Sequence, residues 1–405
     1  MRLEQHGCRL FCFVEDQHGL EFHVSRLRQL TSGDWRGLVD VRAGDIRLHK
    51  SALNLSSGSA RMSLVKSLPI NNGTNWKPLI NEMCAGILDA LEVGEPLVRV
   101  GNDYKIAGVQ YLVKPLLRLN QATLLFGKGS EWKSFLALLL CIMVEAAWAD
   151  NPFNWELDGK PRETIYLDWE TDADTFAWRR QCLVNGLGLP GVELSYRRCA
   201  RILSDDLEAV QQLVADTDAG LVVIDSAGEA CGGEMREAGA VNEFFRAVRE
   251  LQTTVLVLHH QPKDEIAKRK TPYGSSYFVN NPRSVWHICK AQEVGESSFS
   301  VALYHEKSND SNLFPPIGLR IDYDNHAGTT SVELQDVRRV PELVGGLSLK
   351  EQIYQVLEQG AMGVKDIATE LDTTEATIRT KLNANKGDFI KGNNNLWGLK
   401  SNVIL

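Results

Sequence analysis

Residues 123–140 of this 405-residue chain read "TLLFGKGSEWKSFLALLL", an apolar strand, a glycine-containing loop and an apolar helix that begins with a Lys-Ser pair. A turn of this kind can bind phosphate, because unpaired backbone N–H groups and the helix dipole face the anion. Gly127 and Gly129 let the chain approach closely, Lys133 can reach the β- and γ-phosphates of a nucleotide, and the Ser134 hydroxyl can hold magnesium. Lys128, Ser130, Glu131 and Trp132 complete the loop. Trp132 stands where the pattern G-x-x-x-x-G-K-[ST] demands glycine, so the loop is expected to hold φ negative there and turn the indole outward. Taken alone, the stretch reads equally well as a surface turn before a core helix.

Other groups with chemistry follow at the ends of apolar strands. "TIYLDWETD" ends in Asp168 and Glu170, and "GLVVIDSAGEACGG" contains Asp225. Ligands of open α/β sheets bind at the carboxyl ends of the strands, so all three acids point toward the edge that holds the loop. Asp225 suits magnesium and Glu170 suits polarising a water that attacks a γ-phosphate. A solvated strand end or a helix cap is the plain alternative for each. "TTVLVLHHQPKDE" places His259 and His260 at another strand end, where alternation aims one of the two at the nucleotide, with His260 favoured. Beyond it, Lys268, Arg269 and Lys270 lie near Tyr273, Tyr277 and Phe278, a combination that can follow a nucleic-acid strand by charge and stacking. A solvated surface loop explains the same residues.

These groups need a scaffold, and residues 105–340 supply its rhythm: "ATLLF", "ETIYLDW", "GLVVIDS", "TTVLVLHH" and "SVWHICK" alternate with helical stretches. That alternation predicts a largely parallel sheet with helices on both faces, an α/β core. Residues 1–71 hold alternating segments that predict two hairpins in a small α+β module, and residues 72–104 hold a helical stretch expected to bridge to the core. Residues 347–405 predict three short helices and an Asn-rich hairpin, the pattern of a winged helix-turn-helix. The length suits two or three domains. A net charge of -8 argues against a blanket polyanion binder, so nucleic-acid contact must come from local basic patches. Eight scattered cysteines and the lack of a signal-like start predict reduced thiols in a cytoplasm, and the longest apolar run contains Glu145 and predicts a buried helix with no membrane role.

Six segments in order resemble the RecA-like hexameric ATPases of the RepA type, relatives of DnaB and KaiC proteins that serve plasmid and phage replication. They are "LLFGKGSEWKSFLAL", "YLDWETD", "LVVIDSAGEACGG", "VLVLHHQPKDE", "PYGSSYFVNNPRSVW" and "YHEKSNDSNLFPPIGL", covering roughly Gln110 to Asp324. The resemblance implies a RecA-like P-loop core that binds ATP with Mg2+. It puts Lys133 and Ser134 at the phosphate and metal positions, Asp225 at the Walker B position and Glu170 at the catalytic carboxylate. It also implies a basic finger that reaches a neighbouring subunit, Lys307 in "HEKSND" or Arg283 in "NPRSVW". A homo-oligomer, a hexamer in the family's manner, that draws single-stranded DNA through a ring and unwinds duplex is therefore the function the resemblance implies. A second resemblance, of "KGSEWKS" to the deviant loop of ParA and MinD ATPases, leaves "LDWETD" and "HEKSND" unexplained. The competing class is an ATP-controlled DNA-binding regulator without unwinding, and a third is a scaffold with an inert loop.

The two ends add less. In the terminal segment Ile367, Ala368, Leu371, Ile378 and Leu382 are expected inside, leaving Thr377, Arg379 and Lys381 on a recognition helix that can meet duplex DNA. Near the start, Cys8, Cys12, His18 and His23 invite a zinc reading. On an extended strand the two cysteines stand roughly 13 Å apart, too far to share one ion, so core packing is expected instead.

Overall fold

A computed structural model of the chain describes residues 2–6, 10–15, 19–30, 32–44, 46–69, 74–93, 108–262, 271–324, 326–392 and 394–400. By contacts it divides into two compact units, Met1–Gly108 with Glu208–Gln212, and the remainder.

The first unit is a five-stranded antiparallel meander, β1 (Arg2–His6), β2 (Leu10–Glu15), β3 (Leu20–Gln29), β4 (Trp35–Ala43) and β5 (Ile46–Asn54), in sequential order. Two helices follow, α1 (Gly58–Ser67) and α2 (Trp76–Val93). The expected pair of hairpins is present as β2–β3 and β4–β5, joined by β3–β4 pairing and extended by β1. The helix expected as a linker is something else. Trp76, Ile80, Met83, Cys84 and Ile87 of α2 are buried with Phe13, Phe22, Val24 and Val39 of the sheet, because a one-sided meander has an apolar face that only a helix can cover. Cys12 is buried as expected and pairs across the strands with His23, while Cys8 and His18 lie outside the described residues.

In the second unit, β6 (Tyr111–Lys114) and β7 (Leu117–Arg118) lead to β8 (Ala122–Gly127) and α3 (Lys133–Glu145), then β9 (Glu156–Leu157), β10 (Thr164–Asp168), α4 (Ala173–Leu187), β11 (Ser195–Arg198) and α5 (Leu203–Thr217). The chain continues through β12 (Leu221–Asp225), α6 (Ala227–Cys231), α7 (Ala238–Glu250), β13 (Thr254–His260), α8 (Tyr277–Asn280), β14 (Ser284–Ala291), β15 (Ser298–Ser308), β16 (Ile317–Asp324) and β17 (Thr329–Gln335). A nine-stranded sheet results, in the order β11-β10-β12-β13-β8-β14-β15-β16-β17. The six strands from β11 to β14 are parallel and the last three run antiparallel. β10 and β12 are buried along their whole length and read as continuous apolar runs, whereas β17 at the edge alternates over its first half.

Register brings the chemistry together. Asp168 pairs with Asp225 at the ends of β10 and β12, and His260 pairs with Gly127 at the ends of β13 and β8. The apolar helix α3 is buried under the sheet from Leu136 to Val144, as the run around Glu145 suggested. Among the described residues no helix is long and apolar enough to cross a membrane.

After the sheet come a 3-10 turn at Val337–Arg339, α9 (Pro341–Val344), α10 (Leu349–Glu358), α11 (Val364–Glu370), α12 (Glu375–Ala384) and a small hairpin, β18 (Phe389–Lys391) with β19 (Trp397–Leu399). Ser348 and Glu351 form a capping box that starts α10. Ile353, Leu357, Ile367, Ile378, Leu382 and Phe389 make a separate core, with Leu371 at its margin. Arg338 ties this segment to the sheet by ion pairs to Asp336 and Glu358.

Gly186 lies inside α4, where that helix rests on β17 so closely that an added Cβ would meet the Thr330 backbone. Alanine in a helix interior ordinarily gains about 1 kcal/mol over glycine. Collision with backbone, which cannot rotate away, reverses the sign. We expect Gly186→Ala to lose about 1–3 kcal/mol in urea unfolding; a gain in stability would contradict the close packing of α4 on β17.

Candidate functional site

The loop between β8 and α3 is shaped by one obligatory glycine and two unusual residues. A Cβ on Gly127 would stand 2.6 Å from the Ile288 carbonyl oxygen and 2.7 Å from Glu131 Oε2, so only glycine fits. Gly129 has open space around it, and its expected role in close approach is not needed by any protein neighbour. Ser130 and Trp132 take the left-handed backbone, at φ 63° and 67°. The expectation for Trp132 is therefore reversed in both respects: φ is positive, as for the glycine it replaces, and the indole turns inward, 6% exposed. Trp132 Nε1 donates to the Tyr323 hydroxyl at 3.0 Å, and the ring stacks on Phe135 and meets Phe299 edge-on. Left-handed backbone costs a non-glycine residue on the order of 1–3 kcal/mol. Burying an indole against three aromatic rings offsets that cost, since removing such a side chain from a core costs about 3–5 kcal/mol.

Lys133 begins α3 with only 6% of its surface exposed, and its Nζ donates to the carbonyls of Lys128 at 2.6 Å and Gly127 at 3.1 Å. Burial lowers its pKa, while the charges of Glu131, Asp225 and Glu170 push it back up. Those three acids surround the cation. Ser134, next along the helix, hydrogen bonds to Asp225. Asp225 is 4% exposed and accepts from the Tyr166 hydroxyl at 2.6 Å. Burial raises its pKa, and its hydrogen bonds from Ser134 and Tyr166 act in the other direction.

Asp168 does not present itself to a ligand. It is 2% exposed and accepts from the backbone N–H of Glu170 at 2.8 Å and of Thr171 at 2.9 Å, which folds the turn that carries Glu170. Glu170 in turn faces Lys133. Its Oε1 accepts from Ser226 Oγ at 2.5 Å and hydrogen bonds to His260 Nε2 at 3.2 Å. The bond from His260 is the largest cause, ahead of the opposing effect of burial, of a carboxyl pKa lowered to about 2. His259 is buried instead, stacked on Phe278 and hydrogen bonded to the Tyr273 carbonyl.

Residues 130–135, Glu170, Asp225 and His260 line a cleft of about 280 Å³ that also includes Arg179, Lys290, Gln292, Phe299 and Tyr323. A hollow of about 550 Å³ elsewhere is lined by Glu145, Glu163 and Glu193, whose charge disfavours phosphate. Sequence reasoning missed Tyr166, Ser226, Arg179, Lys290 and Tyr323. Tyr166 and Ser226 had a signal, lying two residues before Asp168 on the same strand and directly after Asp225; Lys290, Tyr323 and Arg179 come from β14, β16 and α4, with no local pattern.

Other expected residues fall elsewhere. Lys307 Nζ donates to the carbonyls of Val279, Asn280 and Pro282 at 2.7–2.9 Å, so it closes the turn after α8 and does not extend as a finger. Arg283 is exposed just before β14, and both residues lie at the end of the sheet away from this chain's own loop. On α12, Thr377 is exposed, but its hydroxyl pairs with Thr374 at the helix cap; Arg379 is held by Glu375 at 2.7 Å, and Lys381 is half-buried. Lys268, Arg269 and Lys270 lie outside the described residues. Phe278 is buried and unavailable for stacking on a base, whereas Tyr277 is exposed.

With that geometry in hand, the model of the AAA domain family matches residues 95–265, less than half of the chain but including the loop, Glu170, Asp225 and His260. A KaiC-like protein from the hyperthermophilic archaeon Pyrococcus horikoshii OT3 is similar over 58% of this chain and 99% of its own, at 12% identity and a TM-score of 0.37. No curated protein matches. The AAA domain match and the parallel-rich sheet support a RecA-like P-loop ATPase.

Two outcomes follow from the site itself. Trp132→Gly keeps a residue suited to φ 67° yet empties the space between Phe135, Phe299 and Tyr323, so thermal unfolding should move down despite the restored motif; an unchanged melting temperature would contradict the inward indole. The folded pKa of Glu170, about 2, lies below its ordinary 4.5, so its ionised form favours folding above about pH 4.5, and that contribution is lost as pH falls toward 2. Urea titrations between pH 6 and 3 should show a shallower acid loss in Glu170→Gln than in the wild type.

Proposed function

We propose that the chain is an oligomeric, ATP-hydrolysing RecA-like motor acting on DNA, a replicative-type helicase of a mobile element or phage. The observation that carries the ATPase reading is the convergence of Lys133, Asp225 and Glu170 around one loop at the strand ends. In hydrolysis a water oxygen bonds to the γ-phosphorus while the bond to the bridging oxygen breaks, giving ADP and phosphate. The charge of Lys133 stabilises the phosphate oxygens, replacing with them its bonds to the Gly127 and Lys128 carbonyls.

A hard, all-oxygen pair, Ser134 Oγ and the buried Asp225 carboxylate, fits Mg2+, which when bound neutralises charge on the β- and γ-oxygens. Glu170 is a weak base at a pKa of about 2, far from working pH, so its role is to orient the water more than to take its proton. That suits phosphoryl transfer, whose loose transition state asks for positioning and charge more than for a strong base. His260 holds Glu170 at the end of β13, a link by which the loss of a phosphate held at Lys133 would be felt in that strand.

DNA action and ring assembly rest on the six-segment resemblance, with Arg283 as the finger in trans and α12 as the duplex contact. A specific observation favours the second reading, an ATP-controlled DNA-binding regulator. Lys307 is engaged within its own chain by three carbonyls, which leaves one candidate finger in place of two.

Wild-type protein should bind Mg-ATP and hydrolyse it. Lys133→Ala should lose binding, and Glu170→Gln should bind but turn over at least about 100-fold more slowly. Directional unwinding of a forked duplex, lost in both variants, supports the motor; ATP hydrolysis with no unwinding supports the regulator, and absence of magnesium-dependent binding sinks the ATPase reading.

A further inference from the structure

Beside Gly127 of the phosphate loop, the ligating atoms of Glu131, His287 and Cys289 all lie within 4.8 Å of one another. We propose that these three side chains bind a divalent transition-metal ion, zinc by their chemistry, at a site distinct from that of magnesium. A thiolate, an imidazole and a carboxylate are a soft-to-borderline set that selects zinc over magnesium. His287 and Cys289 are two apart on β14 and so share a face of the sheet, and Cys289 Sγ lies 3.6 Å from Nδ1 and 3.4 Å from Nε2 of His287. Zinc bonds of roughly 2.3 Å to sulfur and 2.0–2.1 Å to nitrogen at a tetrahedral angle put the two atoms about 3.6 Å apart. The pair stands near that spacing, with the sulfur as close to Nε2 as to Nδ1, so the imidazole must turn for one nitrogen to aim its lone pair at an ion shared with Cys289.

Two further observations point the same way. Metal-bound histidine ordinarily anchors its second ring nitrogen on an oxygen, and Gln261 Oε1, 3.1 Å from His287 Nε2, is placed to serve once Nδ1 turns to the ion. The ring is also held flat against Phe126, at 4.7 Å between centroids. Glu131 is brought in by the loop itself. Its Oε2 accepts from the Lys128 N–H at 3.1 Å and occupies the space where a side chain on residue 127 would be, against Ile288 of β14. A carboxylate has two oxygens, so the loop bond and an ion can be served together. Three protein ligands leave a fourth position for water. An ion held there ties the loop to β14 through Glu131, and reaches β13 through Gln261, the residue after His260.

The test is a Co2+ titration of the full, reduced chain in excess Mg2+, reading the thiolate-to-cobalt charge-transfer band, with Zn2+ added afterwards to displace it. We expect a band in the wild type that zinc abolishes, that is lost in Cys289→Ser, and that survives in Cys12→Ser. The last variant separates this site from the cluster of Cys12, Glu21 and His23 on the N-terminal sheet. Gln261→Leu, which keeps all three ligands, should weaken zinc affinity about 10- to 100-fold. No band in the wild type, a band that persists in Cys289→Ser with native circular dichroism, or one lost only in Cys12→Ser would overturn the proposal.

Discussion

An ammonium group with almost no access to water has to be answered by oxygen, and Lys133 imposes that requirement on everything around it. Loop carbonyls hold it directly, and Asp225, Glu170 and Glu131 supply the charge. The carbonyls and Glu131 come from the loop itself, but Asp225 and Glu170 cannot be brought in by local sequence: they arrive from the ends of different strands, so the parallel order β10-β12-β13-β8 is what makes the arrangement possible. The acids are then kept from repelling one another by separate devices: Tyr166 and Ser134 on Asp225, backbone N–H groups on Asp168, His260 and Ser226 on Glu170. Each carboxylate has its own donors, which is how three can lie close together in a partly buried place.

What could be read in the sequence was whatever has a local period or a short motif. The alternation of apolar strands and helices, the loop before α3, the acids at strand ends and the inward set of the terminal helices all belong to that class. Asp168 was placed correctly in the chain but not in its environment, because only the fold reveals that the turn after β10 wraps around its carboxylate. Lys307 failed in the same way: its three carbonyl partners belong to the turn after α8, roughly a strand pair away in sequence. Helix α2 looked like a linker because its apolar stripe gives no hint of which sheet it covers. Tyr323, Arg179 and Lys290 reach the cleft through pairing of distant elements, and no spacing rule could have collected them.

The antiparallel extension is more than decoration of a parallel core. β14 runs beside β8 and supplies the Ile288 carbonyl that forbids a side chain at Gly127, and β15 and β16 supply Phe299 and Tyr323 to the ring cluster. The loop is therefore braced from the side opposite the acids. One flank sets charge and the other sets shape, with Lys133 at the seam.

Trp132 is locked into that brace. A chain that carries an indole in place of the last glycine, packed among Phe135, Phe299 and Tyr323, cannot take up the ordinary motif by one substitution without opening a hole in its own interior. The same rings would be left facing a void by any small residue at 132, so the departure from the common pattern is entrenched, held in place by its neighbours more than by its chemistry.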